Sequence, residues 1–173
     1  GRAPEEIGGG VERLIRRVQR VSGAFGLTVT AKLGTRPVEF LGEVATWDHA
    51  ETQLKEALAR AGLEYALNAG DGAFYGPKID FDVTDAIGRK WQCATIQLDY
   101  QQPENFDLKY VGADNAEHRP VVIHRAILGS FERFIAILIE HYTGAFPLWL
   151  APVQVMVLPI SDLHLEYAGG GRA

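Results

Sequence analysis

The sequence predicts an α+β fold in which helices flank an antiparallel β-sheet. Two amphipathic helical patterns with a strand pattern between them come first, segments alternating polar and apolar residues follow, and a long apolar helix comes next. With 173 residues, 47% of them hydrophobic and 23% charged, the chain can bury a core of its own. We therefore expect one domain, with at most a fragment of a second.

The first part of the chain predicts a helix, a strand and a second helix. Apolar residues recur at helical spacing over residues 11–21, and arginines occupy the other face: Arg13, Arg16, Arg17 and Arg20. We interpret this face as a solvated surface, with an RNA-contacting stripe as the alternative. A strand rich in β-branched residues starts at Gly26, and Thr46 is the expected cap of the second helix. The glycine runs at 8–10 and 169–171 are foreign to helices.

The centre of the sequence predicts an antiparallel hairpin. The segments "YGPKIDFDV" and "KWQCATIQLDY" both alternate with period two, and Gly88 lies in the turn between them. We expect one face of the second strand to carry five residues: Trp91, Cys93, Thr95, Gln97 and Asp99. A thiol, a hydroxyl and an amide in one row suit the floor of a pocket for a small polar ligand. A solvated sheet face is the alternative.

The segment "VVIHRAILGSFERF" places two chargeable side chains in an apolar surrounding. It predicts a strand ending near His124 and then a buried helix over residues 128–141, packed on the sheet. A lone histidine at a strand end suits a satisfied core residue better than a metal ligand. Arg133 keeps its charge, so it needs either Glu132 or an anion such as a nucleotide phosphate.

Charge and cysteine content exclude several classes of protein. The net charge of −5 gives no electrostatic reason to expect nucleic acid on the surface as a whole. Cys93 is the only cysteine, so an internal disulfide and an all-cysteine zinc site are excluded. No signal pattern or membrane-spanning apolar run is present. We expect a cytoplasmic protein without a membrane partner.

Four segments, in this order, resemble the threonyl-tRNA synthetase family of class II aminoacyl-tRNA synthetases: "GDGAFYGPKIDF", "WQCATIQLDY", "HRAILGSFERF" and "GAFPLWLAPVQV". The likeness runs from about Pro4 to about Tyr167. It implies a threonine–tRNA ligase that uses ATP with Mg²⁺ and a zinc ion, and that acts on threonine and tRNA(Thr) as a homodimer in the parent protein. A non-catalytic synthetase-like module with a binding or assembly role is the alternative.

The resemblance also implies roles for individual residues. Arg133 matches the ATP-binding arginine of the third class-defining motif, and His124 matches one of three zinc ligands. Tyr75 and Gln97 are assigned to threonine, and we add Cys93, from the same strand, to the substrate-binding residues. Gln92 and Thr95 are assigned to the adenylate, although Gln92 has the wrong parity for a flat strand and needs a bulge or its backbone. Lys78 supplies charge near the reacting phosphate or the tRNA end.

The resemblance further implies that this chain is incomplete. Residues 1–150 correspond to a partial catalytic core that contains the third motif and lacks the first two, so the zinc site is incomplete and the isolated chain is expected to be inactive. Residues 151–173 correspond to the start of an anticodon-binding α/β domain. There "APVQVMVLPI" predicts a strand, and "SDLHLEYA" predicts a helix capped by Ser161 or Asp162.

Overall fold

A computed structural model describes residues 3–170 as helices packed on a mixed β-sheet. The helices are α1 Ile7–Ala24, α2 Val44–Arg60, α3 Gln101–Asn105, α4 Phe131–Tyr142 and α5 Leu165–Gly170. The strands are β1 Val29–Gly34, β2 Tyr65–Asn68, β3 Lys78–Thr84, β4 Lys90–Asp99, β5 Tyr110–Val111, β6 Glu117–His118 and β7 Val122–Ala126. No helix in this part of the chain is long and apolar enough to cross a membrane.

The main sheet has five strands in the order β2-β1-β3-β4-β7. All neighbouring strands are antiparallel except β1 and β2, which are parallel. The predicted hairpin of β3 and β4 is confirmed, and Gly88 in its turn has a φ of 86°, a conformation that glycine adopts without steric cost. Strand β2 was not predicted, because its four residues are exposed and carry no clear alternation.

The core lies between one face of the sheet and helices α1 and α2. Apolar residues of both helices pack against the apolar face of the central strands, where Leu33, Ile79, Phe81, Ile96 and Leu98 are completely or almost completely inaccessible to solvent. Burying each of these large side chains contributes about 1.5–3 kcal/mol. A second apolar cluster joins α4 to the end of the sheet through Phe134, Ile137, Leu138 and Val83.

Several predictions about these elements are wrong in detail. Helix α1 includes the glycines at 8–10, because Gly8 and Gly10 are buried where the helix packs closely on its neighbours. Helix α2 begins at Val44 after Glu43, so Thr46 lies inside the helix and does not cap it. Helix α4 confirms the predicted helix and its packing on the sheet, but it is not buried all round, since Phe131 remains 69% exposed.

The C-terminal prediction is confirmed only for the helix. Residues 151–160 form no strand, because no strand within residues 3–170 pairs with them, and their apolar side chains are largely exposed. The predicted helix is present as α5 and is preceded by a 3₁₀ turn at Asp162–His164. Ser161 is the N-cap residue of that turn, but its side chain forms no capping hydrogen bond. Helix α5 includes Gly169 and Gly170, so the expectation that the second glycine run is foreign to helices is wrong for these two, and Gly171 lies outside the described residues.

Candidate functional site

The sheet face opposite the α1–α2 core is polar, and its register aligns three predicted site residues. Lys78 on β3 lies opposite Gln97 on β4, and Gln97 lies opposite His124 on β7. We call these three residues the central row. One step along the strands, Asp80 lies opposite Thr95. Because alternate residues of paired strands share a face, side chains from three separate sequence segments converge here.

A β-bulge in β4 determines which side chains join this face. Phe81 pairs with Ala94 while Asp82 pairs with Gln92, so Cys93 is the extra residue. The bulge places Gln92 on the face of Thr95, as its predicted role requires. The predicted shared face of five residues is wrong for Trp91 and Cys93, which pack in the apolar cluster of Val83 and Phe134. Burial there raises the pKa of the Cys93 thiol.

Tyr75 approaches the central row from the loop before β3. Its hydroxyl donates a 2.7 Å hydrogen bond to Oε1 of Gln97, and its ring lies edge-on to His124 with 6.0 Å between ring centroids. Burial and then the charge of Asp99 raise the pKa of the phenol, so it remains a donor. The amide nitrogen of Gln97 has no hydrogen-bond partner in the part of the chain that the structure describes, so it can donate to a ligand. Close approach of this loop to β4 depends on Gly76, where a Cβ would lie 1.8 Å from the Leu98 carbonyl oxygen.

The buried carboxylate of Asp80 organises the neighbouring polar groups. Its Oδ1 accepts hydrogen bonds from Nε2 of Gln92 at 2.6 Å and from the hydroxyl of Thr95 at 2.7 Å. Its Oδ2 lies 2.9 Å from Nζ of Lys78, which also contacts Asp71 at 3.2 Å. Burial lowers the pKa of Lys78, but hydrogen bonds to the two carboxylates outweigh it and the net shift is upward. Lys78 therefore stays cationic and is suited to neutralise an anion, not to act as a base.

His124 is held by a carboxylate that sequence reasoning placed on this face without assigning it a role. Nε2 of His124 lies 2.7 Å from Oδ2 of Asp99, whose other oxygen accepts the backbone N–H groups of Gln101 and Gln102. Asp99 is 1% exposed and its carboxylate accepts these N–H groups, so we assign Nε2 as the donor, and Nδ1 has no hydrogen-bond partner among residues 3–170. A core histidine would have both nitrogens satisfied.

His124 and Asp99 have the geometry of one ligand in a zinc site. A carboxylate that fixes one ring nitrogen of a histidine, leaving the other free, is the usual arrangement of a histidine ligand. Residues 3–170, however, contain no group of three or more His, Cys, Asp or Glu side chains that could hold a metal ion. His124 fits the role of one ligand, and the described residues do not supply the others.

Arg133 lies apart from the central row at the start of α4. Its backbone N–H donates to the hydroxyl of Ser130, the helix cap, at 3.3 Å. Its guanidinium donates to the carbonyl oxygen of Gln92 at 3.4 Å and lies over the ring of Trp91. Within the described part of the chain it forms no ion pair with Glu132, so the first of its two predicted partners is absent.

Tyr75 also lines a cavity of about 400 Å³. Its lining includes Trp47, Tyr100 and Arg119, and Tyr75 is the only predicted site residue among the described residues that line it. The phenol oxygen of Tyr100 is buried without a hydrogen-bond partner in this part of the chain, and burial raises the pKa of Tyr100 to about 12. None of the five residues predicted as a pocket floor lines this cavity.

The fold and this polar face define a class of protein. Residues 3–142 match the family described as tRNA synthetase class II core domain (G, H, P, S and T), and the chain belongs to this family.

Individual relatives are more specific. The chain is 58% identical over 166 residues to a threonine–tRNA ligase of Symbiobacterium thermophilum and 61% identical over 158 residues to one of Myxococcus xanthus. These alignments cover 96% and 91% of this chain but only 26% and 25% of the relatives, so the chain spans about a quarter of their length. A crystal structure titled as the RNA binding domain of threonyl-tRNA synthetase from Cryptosporidium parvum Iowa II superimposes with a TM-score of 0.92 at 46% identity, covering 97% of this chain and 42% of that one.

Proposed function

We propose that this chain is part of a threonine–tRNA ligase. In the first step the carboxylate of threonine attacks the α-phosphate of ATP, which forms threonyl adenylate and releases pyrophosphate. A ribose hydroxyl at the 3′ end of tRNA(Thr) then takes the threonyl group and releases AMP. The observation that supports this most directly is the central row with its partner carboxylates, found in a chain 58% identical to a threonine–tRNA ligase. The chain spans a quarter of such relatives. We therefore propose the activity for a longer protein that contains it.

On the threonine side, Tyr75 and Gln97 are the proposed contacts. The phenol of Tyr75 donates to Oε1 of Gln97 and so fixes the orientation of the Gln97 amide. The amide N–H groups are therefore oriented before a ligand binds. Such preorganisation lowers the entropy cost of binding. Cys93 is left out of these contacts because its side chain packs in the apolar cluster.

On the nucleotide side, Lys78 and Arg133 are the proposed cations. Lys78 would neutralise charge that develops at the reacting α-phosphate, and Arg133 would bind ATP phosphates, with Mg²⁺ as the usual partner of those oxygens. Gln92 and Thr95 are proposed adenylate contacts. Asp80 accepts the hydroxyl hydrogen of Thr95 and one N–H of the Gln92 amide, so Thr95 offers an acceptor oxygen to the ligand and Gln92 offers its Oε1 and its second N–H.

His124 is the proposed zinc ligand of this chain, through Nδ1, with Asp99 orienting the ring. A bound zinc ion would coordinate the amino and hydroxyl groups of threonine and so reject valine, which lacks the hydroxyl. The other protein ligands would come from a part of the protein beyond the described residues.

The remaining proposals concern the context of the chain. We propose that residues 1–150 form part of the catalytic core and that residues 151–173 begin an anticodon-binding domain. We also propose that the complete protein is a homodimer and works in the cytoplasm. An apolar and exposed segment at 151–160 supports the domain boundary, because such a segment requires partner strands to bury it.

A chimera tests the proposed activity. In the S. thermophilum ligase, the matching segment is replaced by this chain, and threonine-dependent exchange between pyrophosphate and ATP is measured. We expect exchange, and we expect Lys78→Met to reduce it at least about 100-fold because the mutation removes a preorganised charge. A matched control is Lys55→Met on the exposed face of α2, which should leave exchange unchanged. A folded chimera without exchange would contradict the proposal.

A further inference from the structure

Two guanidinium groups lie over the ring of Trp91. The distance from Cζ to the ring centroid is 5.3 Å for Arg89 and 5.8 Å for Arg133. Both distances are within the range of a cation–π attraction. The two arginines nevertheless differ in their other contacts, and this difference indicates what the indole does.

Arg89 is neutralised by carboxylates. Its Nε lies 2.6 Å from Oδ2 of Asp85, and its Nη2 lies 2.8 Å from Oε2 of Glu140 on α4. It ties the β3–β4 turn to that helix. These two ion pairs give Arg89 a structural role at the junction of the turn and α4.

Arg133 has only neutral partners in the described part of the chain. Besides the ring of Trp91, its guanidinium contacts the carbonyl oxygen of Gln92 at 3.4 Å. A ring face and a carbonyl restrict where the group lies without cancelling its charge. Its remaining N–H groups are free to bind an anion.

The indole itself is immobilised. Its Nε1–H donates a 2.8 Å hydrogen bond to Oδ2 of Asp85, whose side chain is completely inaccessible to solvent. Asp85 also accepts the backbone N–H groups of Ile87 and Arg89 at 3.1 and 2.8 Å. The ring is therefore anchored to the hairpin turn, and the turn is anchored to α4.

We propose that Trp91 is a positioning residue, fixed by Asp85, which holds the Arg133 guanidinium in place for an anionic ligand, a nucleotide phosphate. The inference rests on the proposed function, because that function supplies the nucleotide. Gln92 extends the arrangement: its carbonyl contacts Arg133, while its side chain bonds Asp80, the partner of Lys78. Gln92, beside the bulge at Cys93, thus links the two cations proposed to bind ATP, Arg133 directly and Lys78 through Asp80.

The first test is kinetic and uses the chimera. Trp91→Leu removes the ring face, and we expect the KM for ATP to rise about three- to tenfold, the range that corresponds to a moderate cation–π contact. The KM for threonine should stay within about twofold, since Tyr75 and Gln97 lie on a different part of the sheet. Trp91→Phe keeps a ring but loses the N–H that Asp85 holds, so its KM for ATP should lie between those of the unmodified chimera and Trp91→Leu.

The matched control is Trp149→Leu. Trp149 is 56% exposed and contacts the ring of Phe25, with no guanidinium over it in the described residues. It should leave both KM values unchanged. Equal effects of the two leucine variants, an unchanged KM for ATP in Trp91→Leu, or an equal rise in the KM for threonine would each overturn the positioning role.

The second test uses the 173-residue chain without any mutation. In ¹⁵N NMR spectra, the Arg133 Nε–H should show an upfield ring-current shift and a nuclear Overhauser effect to the Trp91 ring. Absence of both would overturn the inference, even if Trp91→Leu fails to fold. An inactive chimera would count against the proposed function alone, because this spectroscopic test of the contact does not depend on activity.

Discussion

The mutation Gly76→Ala tests the close approach that positions Tyr75. The added Cβ would lie 1.8 Å from the Leu98 carbonyl oxygen, roughly 1.5 Å inside an ordinary contact. The obstacle is the backbone of a central strand, so the loop before β3 has to move away. That movement would strain or break the adjacent hydrogen bond from Leu98 N–H to the Pro77 oxygen, which is 3.1 Å long.

The expected cost combines two effects. Overpacking of this kind costs about 1–3 kcal/mol, and the loss of one backbone hydrogen bond adds about 1 kcal/mol. We therefore expect a loss of about 2–4 kcal/mol in the free energy of unfolding. With a urea dependence of about 2 kcal/mol per M, the unfolding midpoint of the chain should fall by about 1–2 M.

Gly23→Ala is the matched control for this mutation. Gly23 lies in α1 with open space where its Cβ would be, so alanine there should stabilise the chain by about 0.5–1 kcal/mol. Urea unfolding followed by circular dichroism measures both variants. A midpoint for Gly76→Ala within about 0.3 M of the unmodified chain would refute the argument from close approach.

Three further outcomes are expected. The pKa of Asp85 is lowered from 3.8 to about 2, because hydrogen bonds from Trp91 and Arg89 outweigh the upward effect of burial. Its contribution to stability is therefore present above about pH 4 and lost towards pH 2, and Asp85→Asn should flatten thermal unfolding against pH in that window. In the chimera, His124→Ala should lower bound zinc and weaken threonine binding together, whereas Asp99→Asn should weaken zinc about 10- to 100-fold; full zinc retention in His124→Ala would exclude the ligand role. Cys93 should react with a thiol reagent far more slowly in the folded chain than in urea, and equal rates would contradict its burial.

The strands of the site could be predicted from the sequence because alternation survives where one face is apolar. Ile79 and Phe81 identify the core face of β3, and Gly88 identifies the turn. The placement of Lys78 and Gln97 on one polar face follows from that period alone. The same period placed Cys93 on the wrong face, because the bulge inserts one extra residue into β4 and shifts the alternation. No residue type in this segment marks the position of the bulge.

Other features depended on contacts between distant segments. Asp99 could be placed on a face, but its bond to His124 requires the pairing of β4 with β7, which no local pattern specifies. The predicted cap Thr46 failed because cap preference is a weak local effect and packing decided where α2 begins. The strand predicted at 151–160 had the right composition, and composition alone cannot supply a neighbouring strand.

The bulge in β4 also bears on how this strand tolerates changes in length. Pairs on both sides of Cys93 are in register with the same neighbouring strand, Ala94 with Phe81 and Gln92 with Asp82. Loss of Cys93 would leave each of these pairs intact and keep the amide of Gln92 on the ligand side. Loss of a residue far from the bulge would exchange inside and outside for part of the strand. Single-residue deletions in β4 are thus expected to be tolerated only at the bulge.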